Sequence, residues 1–267
     1  MKINNDKYYT PVELANNCYD KVISLIGLEN ITDVVEPSCG NGSFFQHDRI
    51  KPSIGIDIKP EITSDNIIEA DWLTYDLKYR KGRLVIGNPP YGSKMYLAQK
   101  FFKKAITVGD YVAFILPIGQ YNNTQSLFEF DLIYSEDLGV RDYSGRELHC
   151  CFNIYKRPES GVFNKRPSNK LKVLSICRND SKKYPDFDYD IRMCAWGDGT
   201  AGKILSDDEH YSAEYKIKVS EDCEDREEIL NFLKTFDWRG HMKCIAMRKI
   251  QQFHIINILK DYFKDIE

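Results

Sequence analysis

The segment at residues 111–117, YVAFILP, constrains the fold more than any other part of the chain. A strand with one face in water alternates apolar and polar residues, whereas an uninterrupted apolar strand needs cover on both faces. Such strands occur at the centre of mostly parallel sheets that carry helices on either side. The segment therefore predicts an α/β protein.

Six further segments have the composition of short strands, and two segments have helical spacing. The strands are expected at residues 31–37, 53–58, 67–73, 83–92, 130–139 and 148–157, and the helices at 8–29 and 95–109. Thr10 suits the N-cap of the first helix and Pro11 its first helical position. This alternation predicts a doubly wound, mostly parallel seven-stranded sheet. Ligands bind such sheets beyond the carboxyl ends of the strands, where the strand order reverses.

The chain after residue 157 has a different rhythm. Strands are expected at residues 189–199 and 212–219, and amphipathic helices at 225–236 and 246–263. The sequence therefore predicts two domains, residues 1–157 and a small α/β region at 158–267.

A glycine-bearing turn, EPSCGNGSF, follows the first strand. Gly40 and Gly42 allow a tight turn and the close approach of a ligand, although a purely structural turn has the same pattern. The turn is neither a phosphate loop nor a dinucleotide fingerprint. Asp57 ends the next strand, where its carboxylate can accept both hydroxyls of a ribose. Asp71 ends the third strand and can bind the edge of an adenine ring, with Trp72 beside it. Helix capping at the strand ends is the alternative, but together these features favour an adenosine-bearing cofactor that lacks a pyrophosphate.

The fourth strand ends in the rigid corner Asn88-Pro89-Pro90-Tyr91. The two prolines fix the backbone, so the Asn88 side chain and the Pro89 carbonyl are held as two neutral hydrogen-bond acceptors. Two convergent acceptors suit an amino group that donates two hydrogen bonds, and the Tyr91 ring offers a stacking face. Such acceptors can localise the lone pair of the nitrogen for attack on a methyl sulfonium. We therefore interpret the corner as a catalytic motif.

The chain resembles the S-adenosylmethionine-dependent amino-methyltransferases, and most closely the gamma-type N6-adenine DNA methyltransferases. The resemblance covers residues 8–157 and rests on YYTP, EPSCGNGSF, GIDI, EADWL, NPPYG and FILPIGQYN in that order. It implies a Rossmann-like methyltransferase fold with a target-recognition region last, and an enzyme that methylates DNA adenine after base flipping, as in restriction–modification.

The resemblance also assigns roles to residues. The catalytic residues are Asn88, Pro89, Pro90 and Tyr91, and the cofactor-binding residues are Thr10, Pro11, Glu36, Cys39, Gly40, Gly42, Asp57, Asp71, Trp72 and Asn88. Many members use a second aromatic residue near the seventh strand to sandwich the flipped base. Phe152 is the candidate here, with strand packing as the alternative.

A basic block spans residues 156–183, with nine lysines and arginines against Glu159 and Asp180, a balance of +9 − 2 = +7. Within it, Lys165, Arg166, Lys170 and Lys172 are candidates for contacts with phosphates, and a solvated linker is the alternative. The net charge of the whole chain is −3, which argues against a protein that coats nucleic acid over its entire surface.

Several classes of protein are disfavoured by composition. The eight cysteines show no CxxC pair, which disfavours a structural metal site, and no apolar run reaches the roughly 20 residues that span a bilayer. We expect a cytoplasmic protein without metal; the oligomeric state is left open. RNA adenine methylation, methylation of a protein glutamine and a catalytically silent nucleic-acid-binding subunit are the alternative functions.

Overall fold

The structure, a computed structural model, describes residues 8–143, 145–178, 186–197, 199–241, 249–263 and 266. The chain divides into two compact units, Met1–Arg166 and Pro167–Glu267. The first unit extends nine residues beyond the expected boundary, because the segment after the last strand packs back on it. Arg157 pairs with Asp110, and the backbone N–H of Asn164 donates to the carbonyl of Glu129 at 2.9 Å.

The first unit contains a seven-stranded sheet. Its strands are β1 (Asp33–Glu36), β2 (Ile54–Asp57), β3 (Ile67–Glu69), β4 (Arg83–Gly87), β5 (Tyr111–Pro117), β6 (Asp131–Asp142) and β7 (Glu147–Lys156). The spatial order is β3-β2-β1-β4-β5-β7-β6. The first five strands pair in parallel, and β7 pairs antiparallel with both β5 and β6. The predicted fold class, a mostly parallel Rossmann-like sheet of seven strands, is confirmed.

Both faces of this sheet are covered, as the apolar central strand predicts. Helix α1 (Val12–Ile26) packs in one core cluster with Leu84 and Ile86, whereas helix α2 (Tyr96–Val108) packs in another cluster with Val85. Successive residues of β4 therefore enter opposite cores, since side chains alternate across a strand. The sheet is doubly wound.

The start of α1 differs from the expectation. Pro11 is the N-cap, with ψ of 137°, and no side chain caps the helix. Thr10 is buried, and its Oγ1 accepts a hydrogen bond from Asn88 Nδ2 at 3.2 Å. The prediction of Thr10 as N-cap is therefore wrong, because its hydroxyl turns toward the fourth strand instead of the helix.

In the second unit, the described residues form a three-stranded antiparallel sheet and three helices. Its strands, β8 (Leu174–Arg178), β9 (Ile191–Cys194) and β10 (Glu214–Val219), lie in the order β8-β10-β9. The helices are α3 (Arg226–Thr235), α4 (Trp238–His241) and α5 (Gln252–Tyr262). Strand β8 lies inside the basic block, where no strand is expected, and it buries Leu174 and Cys177.

A buried ion pair joins β1 to β4 at their amino ends. Asp33 and Arg83 are register partners, and Arg83 Nε lies 2.7 Å from Asp33 Oδ2. Both side chains are at most 5% exposed. Arg83 also donates to the carbonyl oxygens of Lys78 and Val108. The pair thus fixes the relative position of the two strands that lead to the site described below.

We predict that Asp33→Ala destabilises the protein by about 3–5 kcal/mol, because it leaves the Arg83 guanidinium buried without its counter-charge. Urea denaturation followed by circular dichroism measures this loss. The control is Arg49→Ala, which removes an exposed pair with Asp20 and should leave the midpoint nearly unchanged. Equal midpoints for Asp33→Ala and the wild-type protein would contradict the prediction.

Candidate active site

Two loops meet where the strand order reverses. The chain runs from β1 outward to β2 and β3 and then returns to β4 on the other side of β1. The carboxyl ends of β1 and β4 are therefore neighbours, and the loops beyond them touch. Ser38 Oγ donates to the carbonyl oxygen of Asn88 at 3.3 Å. Two of the motifs that the sequence singles out thus converge at the switch point of the sheet.

The loop after β1 is a tight turn that depends on its glycines. Gly40 and Gly42 have φ of 44° and 79°. A Cβ on Gly42 would lie only 2.5 Å from Ile62 Cδ1 and would force that side chain to move, and few residues other than glycine adopt a φ of 79°. The N–H of Gly40 donates to Asp57 Oδ2 at 2.9 Å, which ties the turn to the end of β2.

Asp57 closes the end of β2 with both carboxylate oxygens. Its Oδ2 accepts from Gly40, and its Oδ1 accepts from the backbone N–H of Lys59 at 2.8 Å. The bond from Lys59 caps the end of the strand, which is the alternative role that the sequence leaves open for Asp57. A carboxylate has about four acceptor positions, so these two bonds leave capacity for hydroxyl donors.

Asp71 follows β3, the neighbour of β2. Its Oδ1 accepts from the backbone N–H of Leu73 at 2.9 Å, and its side chain is exposed. The backbone of Ala70 donates to the carbonyl of Asp57 at 2.9 Å, which brings the two acidic residues to the same edge of the sheet.

Glu36, at the end of β1, is unusual among the acidic residues of this region because its carboxyl group is buried. It is 2% exposed, and among the described residues nothing donates a hydrogen bond to its Oε2. Burial, and then the charge of Asp57, raise the pKa of the Glu36 carboxyl well above its usual value. A buried carboxyl oxygen without a donor is costly, and a cationic ligand at this position would satisfy it.

Cys39 lies beside Glu36 in the glycine loop. Burial, followed by the charges of Glu36 and Asp57, raises the pKa of the Cys39 thiol to about 12. The thiol is therefore protonated at neutral pH, and Cys39 does not have the thiolate character of a nucleophile.

Hydrogen bonds hold the Asn-Pro-Pro-Tyr corner from three sides. Asn88 Nδ2 donates to Thr10 Oγ1, and Asn88 Oδ1 accepts from the Tyr91 hydroxyl at 2.9 Å. The carbonyl of Tyr91 accepts from the backbone N–H of Leu97, in the first turn of α2, at 3.1 Å. Pro89 is buried between these anchors. An amide oxygen has two lone pairs, so Asn88 Oδ1 keeps one for a further donor.

The Tyr91 side chain is oriented by its hydroxyl as well as by its ring. The hydroxyl bonds Asn88 and lies 3.5 Å from Cys150 Sγ. Burial raises the pKa of Tyr91 well above its usual value, so the hydroxyl stays protonated and acts as a donor. The ring lies 6.1 Å from the Tyr8 ring, and the two planes differ by 20°.

Two aromatic candidates, Trp72 and Phe152, lie in the two cores of the sheet. Trp72 is 1% exposed, packs near Phe101 on the α2 side of the sheet and donates its Nε1–H to the Phe101 carbonyl at 3.4 Å. Phe152 is 1% exposed on the α1 side, in β7. This burial favours core packing for Trp72 and the strand-packing alternative for Phe152. Their contacts with a cofactor or a base stay predictions.

The candidate phosphate contacts are all exposed but do not share one unit. Lys165 and Arg166 end the first unit, and Lys170 and Lys172 begin the second. The Arg166 guanidinium lies 5.2 Å from the ring centroid of Phe128. Elsewhere in the basic block, Arg157 is half-buried against Asp110, whereas Asp180, Lys182 and Lys183 lie outside the described residues.

Two residues of the site escaped the sequence reasoning. Ser38 and Tyr8 lie inside the motifs EPSC and YYTP, but nothing in their spacing marks them.

Within the described ranges, His, Cys, Asp and Glu residues form no group of three that suits a metal ion. The described helices also include none that is long and apolar enough to cross a membrane.

The comparisons with known proteins point to methyltransferases. No protein-family model matches the chain. The type II methyltransferase M.CvrRI of Paramecium bursaria Chlorella virus XZ-6E is 34% identical over 98 residues, which cover 32% of this chain and 24% of that protein. The match thus spans about a quarter of the relative's length.

Three solved structures resemble parts of the chain. A proposed RNA methyltransferase from Pyrococcus horikoshii is 16% identical, with a TM-score of 0.47, and the match covers 56% of this chain and 85% of that one. A proposed class I S-adenosylmethionine-dependent methyltransferase from Listeria monocytogenes is 13% identical, with a TM-score of 0.46 and coverage of 62% and 65%. A type I restriction–modification methyltransferase subunit from Streptococcus thermophilus is 12% identical, with a TM-score of 0.42 and coverage of 96% and 58%. The name of the Listeria monocytogenes protein gives S-adenosylmethionine as that protein's cofactor.

We predict that Glu36→Gln gains stability relative to the wild-type protein as the pH rises. The unfolded carboxyl loses its proton near pH 4.3, whereas the folded one, with its raised pKa, keeps it. Above about pH 4.3 the native state therefore binds more protons than the unfolded state, and wild-type stability falls with pH. A glutamine side chain does not titrate, so the variant does not lose stability in this way as the pH rises. Melting temperatures measured from pH 4 to 8 test the difference.

The matched control is Glu69→Gln, which changes an exposed carboxylate at the end of β3. Parallel pH profiles for Glu36→Gln and the wild-type protein would show that Glu36 does not titrate abnormally.

Proposed function

We propose that this protein transfers the methyl group of S-adenosylmethionine to the N6 amino group of adenine in DNA. The observation that carries the proposal is the meeting of two loops at the switch point. The buried Oε2 of Glu36 has no donor among the described residues, and the adjoining corner holds the Asn88 amide rigidly. The first feature suits a cationic cofactor, and the second suits an amino group as the acceptor of the methyl.

The residues present fit the cofactor. The ammonium of its methionine part would donate to Glu36 Oε2 and satisfy that buried oxygen. Gly40 and Gly42 carry no side chain of their own, so the backbone of the turn can approach a ligand closely. Asp57 and Asp71, at the ends of neighbouring strands, would accept from the ribose hydroxyls and from the adenine amino group. Bound S-adenosylmethionine would supply a methyl group on a positively charged sulfur.

The corner would prepare the acceptor nitrogen. The lone pair of an exocyclic amino group is delocalised into its ring, so the nitrogen is a weak nucleophile. Asn88 Oδ1 and the Pro89 carbonyl would each accept one of its N–H bonds and pull the lone pair out of conjugation. As the nitrogen gains positive charge, these dipoles and the face of Tyr91 stabilise it, and their fixed orientation means that little reorganisation is needed.

The protein supplies no covalent intermediate in this proposal. The high pKa of Cys39, about 12, keeps that thiol unreactive, and direct attack by the nitrogen needs no protein nucleophile. The surplus proton of the methylated nitrogen passes to solvent. In duplex DNA the adenine has to leave the stack first, since the corner lies within a fold that a paired base does not reach.

The ordered motifs support DNA as the substrate, since YYTP, EPSCGNGSF and NPPYG follow one another as in the gamma-type DNA enzymes. An intact corner together with an intact cofactor loop argues against a silent subunit. The exposed Lys165, Arg166, Lys170 and Lys172 provide positive charge for a phosphate backbone. We propose that the C-terminal unit contributes to target recognition.

The test is incubation with methyl-labelled S-adenosylmethionine and separate pools of duplex DNA, RNA and protein, followed by digestion and mass identification of the product. We expect N6-methyladenine in DNA. Label in N6-methyladenine from RNA would show that the substrate is RNA instead of DNA, with the same methyl transfer to the adenine amino group. Label in protein glutamine, or in none of the pools, would overturn the proposal.

We predict that Asn88→Ala reduces single-turnover methylation by about 100- to 1000-fold, the usual effect of losing one preorganised hydrogen-bonding group. The melting temperature should change little, because the prolines and the anchor of Tyr91 on α2 remain. The control is Asn231→Ala, an exposed residue of α3. A folded Asn88→Ala variant with a near wild-type rate would show that the corner is not catalytic.

We also predict that neutralising Lys165, Arg166, Lys170 and Lys172 together weakens DNA binding and flattens its salt dependence. Each lost phosphate contact lowers the slope of log K against log salt by roughly 0.9 for duplex DNA. The control neutralises four exposed lysines elsewhere, Lys51, Lys78, Lys81 and Lys234. Equal slopes for the two quadruple variants would return the basic block to the role of a solvated linker.

A further inference from the structure

We propose that Glu36 releases a proton to solvent when a ligand with an ammonium group binds beside it, so that cofactor affinity rises with pH. The inference rests on the proposed function and assigns a regulation to the same site. It concerns the carboxyl group at the end of β1, which is 2% exposed and begins the segment EPSCGNGSF. The coupling follows from the groups that surround this carboxyl in the free protein.

The surroundings of Glu36 supply no positive charge. Among the described residues, none forms an ion pair with its carboxyl group, and none donates a hydrogen bond to its Oε2. The elements packed around it contribute Asp57 from β2, Cys39 from the glycine turn, Tyr19 from α1 and Gly87 from β4. An ionised Glu36 would therefore be a buried charge next to a second negative charge, which is costly. The free protein keeps this carboxyl neutral.

The neighbouring groups are not alternative sources of the proton. Burial, followed by the charges of Glu36 and Asp57, raises the pKa of the Cys39 thiol to about 12. Burial and then the charge of Glu36 raise the pKa of the Tyr19 hydroxyl well above its usual value. Asp57 accepts backbone N–H bonds through both carboxylate oxygens, as an ionised group does. Glu36 is thus the group with a proton to release.

An ammonium group beside Glu36 supplies both things that the fold withholds, a hydrogen-bond donor and a positive charge. The O–H bond of the Glu36 carboxyl then breaks, its electron pair stays on the oxygen, and the proton passes to the buffer. Glu36 accepts a charge-assisted hydrogen bond from the ammonium, which keeps its own charge. A ligand without an ammonium group leaves Glu36 neutral and releases no proton.

The direction of the pH dependence follows from the two states of Glu36. Burial and the charge of Asp57 raise its pKa in the free protein, and an adjacent ammonium lowers that pKa in the complex. Between these two values, binding releases one proton, and the affinity rises about tenfold per pH unit. Above the raised pKa the free protein is already ionised at Glu36, so the affinity levels off.

The experiment is isothermal titration calorimetry with S-adenosylhomocysteine, from pH 5 to 7, in buffers of different ionisation enthalpy. An α-amino group stays largely protonated in this range, since its pKa is about 7.7–8.0. The wild-type protein should release about one proton per ligand at the acid end and bind about tenfold more tightly per pH unit. The comparison ligand is 5′-methylthioadenosine, which has the nucleoside and the sulfur but no amino-acid part. It should bind without proton release.

Glu36→Gln keeps the shape of the side chain but cannot ionise. The variant should bind S-adenosylhomocysteine without proton release and with an affinity that is independent of pH. It should match the wild-type protein at pH 5 and bind up to about 100-fold more weakly at pH 7, which is tenfold for each of two pH units. The control is Glu159→Gln, whose side chain is 91% exposed, and it should behave as the wild-type protein does.

The outcomes separate this inference from the proposed function. Binding of S-adenosylhomocysteine to the wild-type protein without proton release at any pH from 5 to 7 would overturn the inference and leave the proposed function intact. The same conclusion would follow if Glu36→Gln released as many protons as the wild-type protein. Equal proton release with 5′-methylthioadenosine would assign the proton to a group other than Glu36. Absence of any S-adenosylhomocysteine binding would overturn both proposals.

Discussion

The pairing of β1 with β4 is the constraint on which the site depends. The partners Asp33 and Arg83, Val34 and Leu84, and Val35 and Val85 are each 50 positions apart. The hydrogen bond from Ser38 to the Asn88 carbonyl keeps the same offset, so the register of the ladder continues into the two loops. A slip by one residue would turn every side chain of one strand to the opposite face and separate the loops. The buried ion pair at the amino end thus sets the geometry at the carboxyl end.

The site is costly to the fold, and the sheet around it offsets that cost. Glu36 buries a carboxyl whose Oε2 has no donor in the described part of the chain, with Asp57 close enough to raise its pKa further. The central strands β4 and β5 are buried on both faces and supply apolar packing on either side. A helix cap is given up as well, because Thr10 holds Asn88 instead of α1. We propose that this local loss of stability is the cost of a preorganised ligand site.

The sequence predicts the positions of strands better than the directions of side chains. The seven strands follow from apolar runs, and the glycine turn and the proline corner follow from residues with few conformations. Phe152 and its neighbour Cys151 enter opposite cores, however, and only the register of β7 decides which. Strand β8 is hidden because it has only five residues and lies inside a block rich in lysine and arginine. The contact between Tyr8 and Tyr91 joins positions 83 residues apart, so no local pattern reveals it.

The hydroxyl of Tyr91 connects the aromatic ring of the corner to its hydrogen-bond acceptor, the side-chain oxygen of Asn88. Because it bonds Asn88 Oδ1, the plane of the ring and the position of the acceptor oxygen are fixed relative to each other. In the function proposed above, an amino group held at Asn88 would belong to a flat molecule whose ring stacks on Tyr91. The two contacts would then form together, because neither the ring nor the acceptor oxygen can move without breaking the bond between them.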